Sequence, residues 1–365
     1  MHGKGTNGAG SGRPLNPAGS AQSHRPSLPD LQAKSCFLGF PPTKFPEYPP
    51  IACCLKLDKH QPEAYSPDVL DSKFSNLCAT IRSYGPTLVA YSGGVDSVFL
   101  AFVAHSALSG SALAVVADSP SLPRREFQDA LGVAVSFGFP VRVVDTAEFS
   151  NQEYTSNPLN RCYFCKHELF TKLIPIARHL RLSSIAYGEN ASDFGEFRPG
   201  SLAAEEFCIR APLKEAGLTK SEIRSLSARF GLPTTEKPQM ACLSSRVPHG
   251  EAVTVIKLRM VEAAEYALRD LGFLDVRVRH HELPLLSDLS PDSKSALLSN
   301  LTISAARPAV ARVEVGVAEL PRLLEASTAA RITKELEKIG YTRVTLDPQG
   351  YRRGGANDLA PKPVV

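Results

Sequence analysis

The sequence predicts an α/β protein: a parallel sheet covered by helices, followed by a smaller C-terminal α+β domain. Three observations predict it. From about residue 65, short β-branched and apolar runs alternate with helix-length segments, the signature of strands joined by crossover helices. A glycine pair, Gly93-Gly94, separates the first apolar run from a strongly apolar helix. From residue 250 the order changes to helix, strand, strand, helix, strand, which suits a compact α+β unit.

Taken in order, residues 87–91 read as a buried strand, and Val98, Leu100, Phe102 and Val103 mark the helix after the glycines. Residues 112–117 form a second strand, 124–137 a helix, 141–144 a strand, 169–180 a helix and 184–187 a strand. Ligands of such sheets sit beyond the carboxyl ends of the strands. In the second unit, a long amphipathic helix over 253–271 stops at Gly272, as helices do at a residue free to turn left-handed. Strands follow at 276–278 and 310–315, then a helix over 320–339 ending at Gly340, and a strand at 344–346. The stretch 283–308 reads as a surface insertion. The boundaries are therefore 1–64 for an N-terminal extension, 65–249 and 250–356 for the two domains, and 357–365 for a tail.

At 365 residues, 43% hydrophobic and 21% charged, the chain can build sizeable cores. No run of about 18 apolar residues is present, so no membrane span is expected. Residues 1–60 carry seven Lys/Arg against three Asp/Glu, leaving 34 of each in the remainder. The folded part is thus neutral, which argues against a nucleic-acid partner, whose usual footprint is a basic face. The Gly-, Pro- and Ser-rich first 60 residues read as disordered. Their lack of acid fits an organelle (plastid or mitochondrial) transit peptide as well as a plain tail on a cytoplasmic protein. Eight cysteines in a chain of this length are no disulfide scaffold, and three of them have ligand-type spacing, which favours a reducing compartment.

The chemistry begins at Ser92-Gly93-Gly94-Val95-Asp96-Ser97. Glycines there let the backbone approach a ligand closely. The loop N–H groups and the helix N-terminus then face an anion, and Ser92 and Ser97 add hydroxyls. Asp96 would repel phosphate unless a cation lay between, which implies Mg²⁺. No Gly-x-x-x-x-Gly-Lys-Ser/Thr loop exists, so this is not a Walker-type NTPase. The six residues resemble the loop of PP-loop ATP pyrophosphatases. That resemblance implies ATP cleaved between its α and β phosphates, AMP passing to a substrate oxygen, and pyrophosphate held on the loop.

Cys162 and Cys165 form a C-x-x-C within Arg161-Cys-Tyr-Phe-Cys-Lys166, and Cys242 lies far downstream in a Pro/Gly-flanked loop. Three thiolates can hold three irons of a [4Fe–4S] cluster and leave the fourth open. A closed zinc site would need a fourth ligand, for which His249 stands seven residues after Cys242. Three unconnected thiols are the plainer alternative. Arg161 and Lys166 favour thiolate character beside them.

Further stretches resemble the LarE-type sulfur transferases of the PP-loop class. They include 118–126, 161–166, 188–193, 196–200, 210–213, 237–250 and 341–347, with Gly350-Tyr-Arg352. They run in family order across about 75–356. The resemblance implies an enzyme that adenylates a carboxylate of a pyridinium dicarboxylate mononucleotide. Sulfur then replaces the carboxylate oxygen, as in nickel-pincer nucleotide cofactor synthesis. Some members sacrifice the sulfur of a cysteine at the position of Cys242, whereas this chain matches the three-cysteine kind at Cys162, Cys165 and Cys242.

By position, Ser92 to Ser97 would bind pyrophosphate and Mg²⁺, and Asp118 would stand near the nucleoside. Asp193 would help hold metal or ATP. Arg161, Arg198, Arg246, Arg277 and Arg279 are candidates for substrate carboxylate and phosphate, because a guanidinium fork suits both. Glu314 matches a family acid near the sulfur site. A solvated strand face accounts equally well for Arg277 and Arg279, and an exposed carboxylate for Glu314. The family's later acid has no clear counterpart among 320–323. The rival readings are a PP-loop tRNA thiolase with a cluster and an ammonia-dependent NAD- or GMP-synthetase-like ligase. A homo-oligomer stays open.

Overall fold

The structure, a computed structural model, describes residues 67–193, 198–238, 241–283 and 308–352. The predicted N-terminal extension, the insertion between the strands of the second unit and the tail fall outside the described residues.

The first sheet is parallel throughout, in the order β3-β2-β1-β4. Its strands are β1 (Thr87–Tyr91), β2 (Ala112–Asp118), β3 (Val141–Asp145) and β4 (Ser184–Tyr187). All five residues of β1 are buried, as expected of a central strand covered on both faces. One covering layer is α1 (Pro67–Tyr84), α2 (Val95–Ala107) and α3 (Arg124–Ser136), which share a core through Leu77, Val98, Phe99, Val103 and Phe127. The opposite core gathers Leu88, Val115, Phe170, Leu173 and Ala203. It belongs to α4 (Arg161–His179) and α5 (Pro199–Glu206). The chain runs β1, β2, β3 in one direction and returns to place β4 on the other side of β1. The crevice between β1 and β4 is therefore the topological switch point, where ligands of such sheets bind.

A short helix, α6 (Lys220–Arg229), opens with a capping box: Thr219 accepts from the Glu222 N–H, and Glu222 reaches back to the Thr219 N–H. Beyond it, α7 (Val255–Asp270) leads into the second sheet, of order β5-β6-β7. There β5 (Val276–Glu282) and β6 (Ala309–Val315) are antiparallel, and β7 (Arg343–Leu346) pairs parallel to β6. Their core joins Ala264, Leu268, Val276, Val278, Val313 and Val315 to Ile332 and Leu336 of α8 (Ala326–Ile339).

Two elements differ from expectation. The helix predicted from residue 169 starts at Arg161, because the Arg-Cys-Tyr-Phe-Cys-Lys opening lacks the apolar period that marks the rest. The helix predicted over 320–339 breaks at Glu325, whose φ of −60° and ψ of 129° are non-helical. Leu323 and Ile332 both enter the core, yet nine residues at about 100° each would set them roughly 180° apart on one helix. Only a break lets both face inward.

Candidate functional site

The carboxyl ends of β1, β2 and β4 meet at one edge of the first sheet. After β1, Gly93 turns with φ +73°, and a Cβ there would lie 2.6 Å from the Cβ of Ala130. Glycine is thus required both by conformation and by space. Gly94 caps α2 without a side-chain hydrogen bond, so the first-turn N–H groups remain free to meet an anion. Val95 is buried and pins the loop to the core. Ser97 Oγ donates to Gly94 O at 3.1 Å, accepts from Ser92 N at 3.2 Å, and lies 3.1 Å from Ser92 Oγ.

Asp96 is held from behind by β4's exit. A Cβ on Gly188 would come within 3.1 Å of Asp96 Cβ and of Ser97 N, so only glycine admits this close approach. Asp96 Oδ2 meets Lys220 Nζ at 2.6 Å, while Oδ1 is buried with no hydrogen-bond partner. An orphaned carboxylate oxygen beside a phosphate loop suits a divalent cation. A second lysine, Lys237, reaches Gly93 O at 3.3 Å and Glu126 at 2.5 Å.

At the end of β2, Asp118 pairs with Arg124 at 2.6 Å, both side chains partly exposed. Beyond β4, Asp193 accepts from the Asn190 N–H at 3.1 Å and pairs with Arg198 at 2.5 Å. Arg198 in turn lies close enough to Cys162 to favour its thiolate. A run of contacts therefore leads from the loop to the start of α5: Asp96 to Lys220, Lys220 N–H to Ser192 Oγ at 2.9 Å, and Asp193 to Arg198, two residues before Gly200, where a Cβ would lie 3.6 Å from Cys162 O.

Cys162 and Cys165 lie among the first five residues of α4, three residues apart and so on one face. Cys242 comes to them from a loop tied to the end of β2 by Leu243 N–H donating to Ser121 O at 2.8 Å. Arg161, which opens α4 beside Cys162, donates to Ser244 O at 3.0 Å, two residues from Cys242, so the loop abuts the start of α4. Desolvation, then the charge of Cys242, raises the Cys162 thiol, with Arg161, Lys166 and Arg198 pulling it back. The same two causes, desolvation first, push Cys165 up to about 12. Among the described residues, no three His, Cys, Asp or Glu side chains stand at metal-holding spacing. The donor set itself, three thiols with adjacent cations, suits an iron–sulfur centre.

The arginines divide. Arg161 is buried and donates to Asn157 Oδ1 and, at 3.0 Å, to Ser244 O. Arg246 is fully buried and pairs with Glu265 at 2.8 Å. It also donates to Ala241 O at 2.7 Å and Cys242 O at 3.1 Å. Both guanidinia thus hold the Cys242 loop in place. Arg277 is 2% exposed and stacks over Tyr351, 4.6 Å from the ring centroid. Arg279 grips Glu314 with distances of 3.0 to 3.2 Å and donates to Ser245 O at 2.9 Å. The solvated strand face is therefore excluded for Arg277 and Arg279, and the exposed carboxylate for Glu314, which is 5% exposed. Arg279 and Glu314 share one sheet face with Arg312, which lies between Glu314 at 3.6 Å and Asp347.

Sequence reasoning passed over Lys220, Lys237, Glu265 and Glu148. Lys220 carried a signal, because it follows the helix-opening Thr219 of a Thr-x-x-Glu capping box. Glu148 had none. It is buried, accepts from Ser119 Oγ, leaves Oε2 without a partner, and adds to the field that raises Cys165.

No protein-family profile matches the chain. Curated relatives do. An uncharacterized protein of Synechocystis is 38% identical over 294 residues, covering 80% of this chain and 100% of that protein. The pyridinium-3,5-bisthiocarboxylic acid mononucleotide synthase of Lactiplantibacillus plantarum is 29% identical over 294 residues, 80% of this chain and 96% of that protein. The tRNA-specific 2-thiouridylase MnmA of Xanthobacter autotrophicus is 31% identical over 170 residues, 45% of this chain and 41% of that protein. The likeness to a tRNA thiolase stops short of half of either chain, whereas that to the synthase runs nearly the full length of the enzyme. The glycine-lined turn after β1, on a chain that matches the whole of one of these relatives and nearly all of the pyridinium-3,5-bisthiocarboxylic acid mononucleotide synthase, places this protein in the LarE-type family of PP-loop sulfur transferases.

Proposed function

We propose that the enzyme adenylates a carboxylate of a pyridinium dicarboxylate mononucleotide and exchanges the activated oxygen for sulfur, giving a thiocarboxylate. The observation that supports this reading is the run of contacts from Asp96 through Lys220, Ser192, Asp193 and Arg198 to α5, whose Gly200 backs onto Cys162 O, with the Cys242 loop bonded to Arg161 beside Cys162.

In this scheme Ser92 to Ser97 and the free N–H groups of α2 hold the departing pyrophosphate. Asp96, one of whose carboxylate oxygens has no hydrogen-bond partner, would hold Mg²⁺, which when bound would offset the charge of the phosphates. Asp118 stands at the end of β2 for the ribose. The substrate carboxylate attacks the α-phosphorus and pyrophosphate leaves. A sulfur nucleophile then attacks the acyl carbon, and AMP departs with the former carboxylate oxygen. Cys162, Cys165 and Cys242 would hold a [4Fe–4S] centre, which when bound supplies a site for sulfide without consuming a cysteine. Arg198, Arg279 and Glu314 remain the substrate-facing candidates, and Arg161, Arg246 and Arg277 act through the position of their neighbours.

The test is to purify the protein without oxygen, measure iron and sulfide, and incubate it with ATP, Mg²⁺ and the dicarboxylate mononucleotide. The expected result is pyrophosphate release together with a product in which oxygen has become sulfur. Tight, salt-sensitive tRNA binding with no reaction on the mononucleotide would replace this reading with tRNA thiolation.

A further inference from the structure

The phosphate loop has no lysine of its own, yet a lysine sits on its acid. Lys220 Nζ lies 2.6 Å from Asp96 Oδ2, and the other carboxylate oxygen is buried without a partner. Neither residue's backbone is free to adjust. Asp96 is on the first turn of α2, backed by Gly188. Lys220 opens α6, fixed by the Thr219–Glu222 capping box and by its own N–H donating to Ser192 Oγ at 2.9 Å. Glu222 is anchored in turn by Lys73 at 2.7 Å. What can move is the four-carbon side chain of Lys220, about a quarter of which is exposed.

We propose that Lys220 and the divalent cation exchange on Asp96. In the free enzyme Lys220 neutralises Asp96. When the cation arrives with the diphosphate, Asp96 serves the metal and the Lys220 ammonium turns to the phosphate oxygens. The electrostatics favour it. Two cations crowding one carboxylate repel each other in a half-buried site, and the incoming phosphate charge removes that conflict by giving the ammonium a second anion. Metal alone therefore meets a competitor, whereas metal with diphosphate meets a helper, so the site discriminates against the bare ion. The inference rests on the ATP reading given above and names the residue that makes the loop selective for the complex.

The experiment measures Mn²⁺ alone, by titration calorimetry or paramagnetic resonance, and then Mg²⁺–pyrophosphate, on wild type, Lys220→Met and Lys220→Arg, with thermal midpoints to confirm folding. Lys220→Met is expected to bind Mn²⁺ alone about tenfold more tightly and Mg²⁺–pyrophosphate at least about tenfold more weakly. Lys220→Arg keeps the charge and should lie near wild type in both. A purely structural role would move both affinities the same way. If Lys220→Met weakens both, or changes neither, the exchange is overturned. Should Lys220→Met fail to fold, Lys220→Gln is expected to show the same opposed shifts, and their absence overturns it equally. Wild type that ignores Mg²⁺–pyrophosphate altogether would overturn the ATP reading instead, and the metal-only comparison then judges the exchange by itself.

Discussion

Replacing Arg246 by Met separates a positioning role from a substrate-binding one. The Arg246 side chain is 0% exposed and its partner Glu265 1%. Glu265 also accepts from Val278 N–H at 3.2 Å and lies 3.5 Å from Arg269. Met fills much of the volume but removes the charge, leaving the buried carboxylate with one longer ion pair and one backbone donor. Breaking a buried pair in this way costs about 3–5 kcal/mol, with the lost donations to Ala241 O and Cys242 O inside that figure. Against a total stability on the order of 5–15 kcal/mol, the loss should be plain in a urea melt as a lowered midpoint at unchanged slope.

The double variant Arg246→Met/Glu265→Leu removes the stranded charge and should recover most of the loss. It should not recover sulfur transfer, because the carbonyls of Ala241 and Cys242 stay unheld. Pyrophosphate binding should survive in both variants. If Arg246→Met leaves stability within about 1 kcal/mol of wild type while raising the KM for the mononucleotide, the guanidinium faces substrate and the positioning argument fails.

Gly93→Ala should destabilise the chain by roughly 2–4 kcal/mol and abolish pyrophosphate binding, since the added Cβ meets Ala130 at 2.6 Å at a left-handed φ; calorimetry on the variant checks both. His280, buried beside the Tyr341 hydroxyl at 3.3 Å, has its pKa lowered to about 4, chiefly by desolvation. Its folded state thus binds fewer protons than the unfolded chain, so this contribution is full above about pH 6.5 and is lost as pH falls toward 4, up to roughly 3 kcal/mol. Thermal melts across that window should show a shallower acid slope in His280→Phe than in wild type. Tyr154→Phe deletes the 2.8 Å bond to Ser244 Oγ and should cost about 1 kcal/mol, read by the same melts.

Most of the first sheet was legible because its strands are apolar runs broken by Gly and Pro, and period alone separates them from the helices. The loop at 92–97 was legible because its chemistry is contiguous. What stayed hidden depends on distance along the chain. Arg161 and Arg246 look like exposed ligands in sequence, since nothing near them says that Asn157 and Glu265 will bury their charge. Lys220 is 124 residues from Asp96, and only the return of β4 beside β1 brings the two together. The break at Glu325 was missed for a related reason: the period of 320–339 looks continuous until the phase of Leu323 against Ile332 is computed.

The helix leading into the second sheet, α7, is where that sheet meets the first most plainly. Glu262 and Tyr266, one turn apart, meet the start of α3: Glu262 accepts from Arg124 N–H at 2.5 Å, and Tyr266 OH accepts from Arg125 N–H at 2.8 Å. Asp270, one turn further, pairs with Arg125 at 2.9 Å. A neighbouring stripe of the same helix faces the Cys242 loop, with Leu258 and Val261 packed on Leu243 and Val247 and Glu265 holding Arg246. Residues three and four apart on a helix lie on adjoining faces of a rigid rod. The position of Cys242 is therefore indexed to α3, whose Ala130 lies directly against Gly93 of the phosphate turn. An activated acyl group and its sulfur nucleophile must be registered to within about an ångström. One helix that touches both the Cys242 loop and the start of α3 supplies such a register. Glu262→Ala should accordingly leave the thiols and the phosphate turn intact and each still able to bind, yet slow their coupled reaction. If ATP-dependent sulfur transfer in Glu262→Ala matched wild type, α7 would be only a structural support.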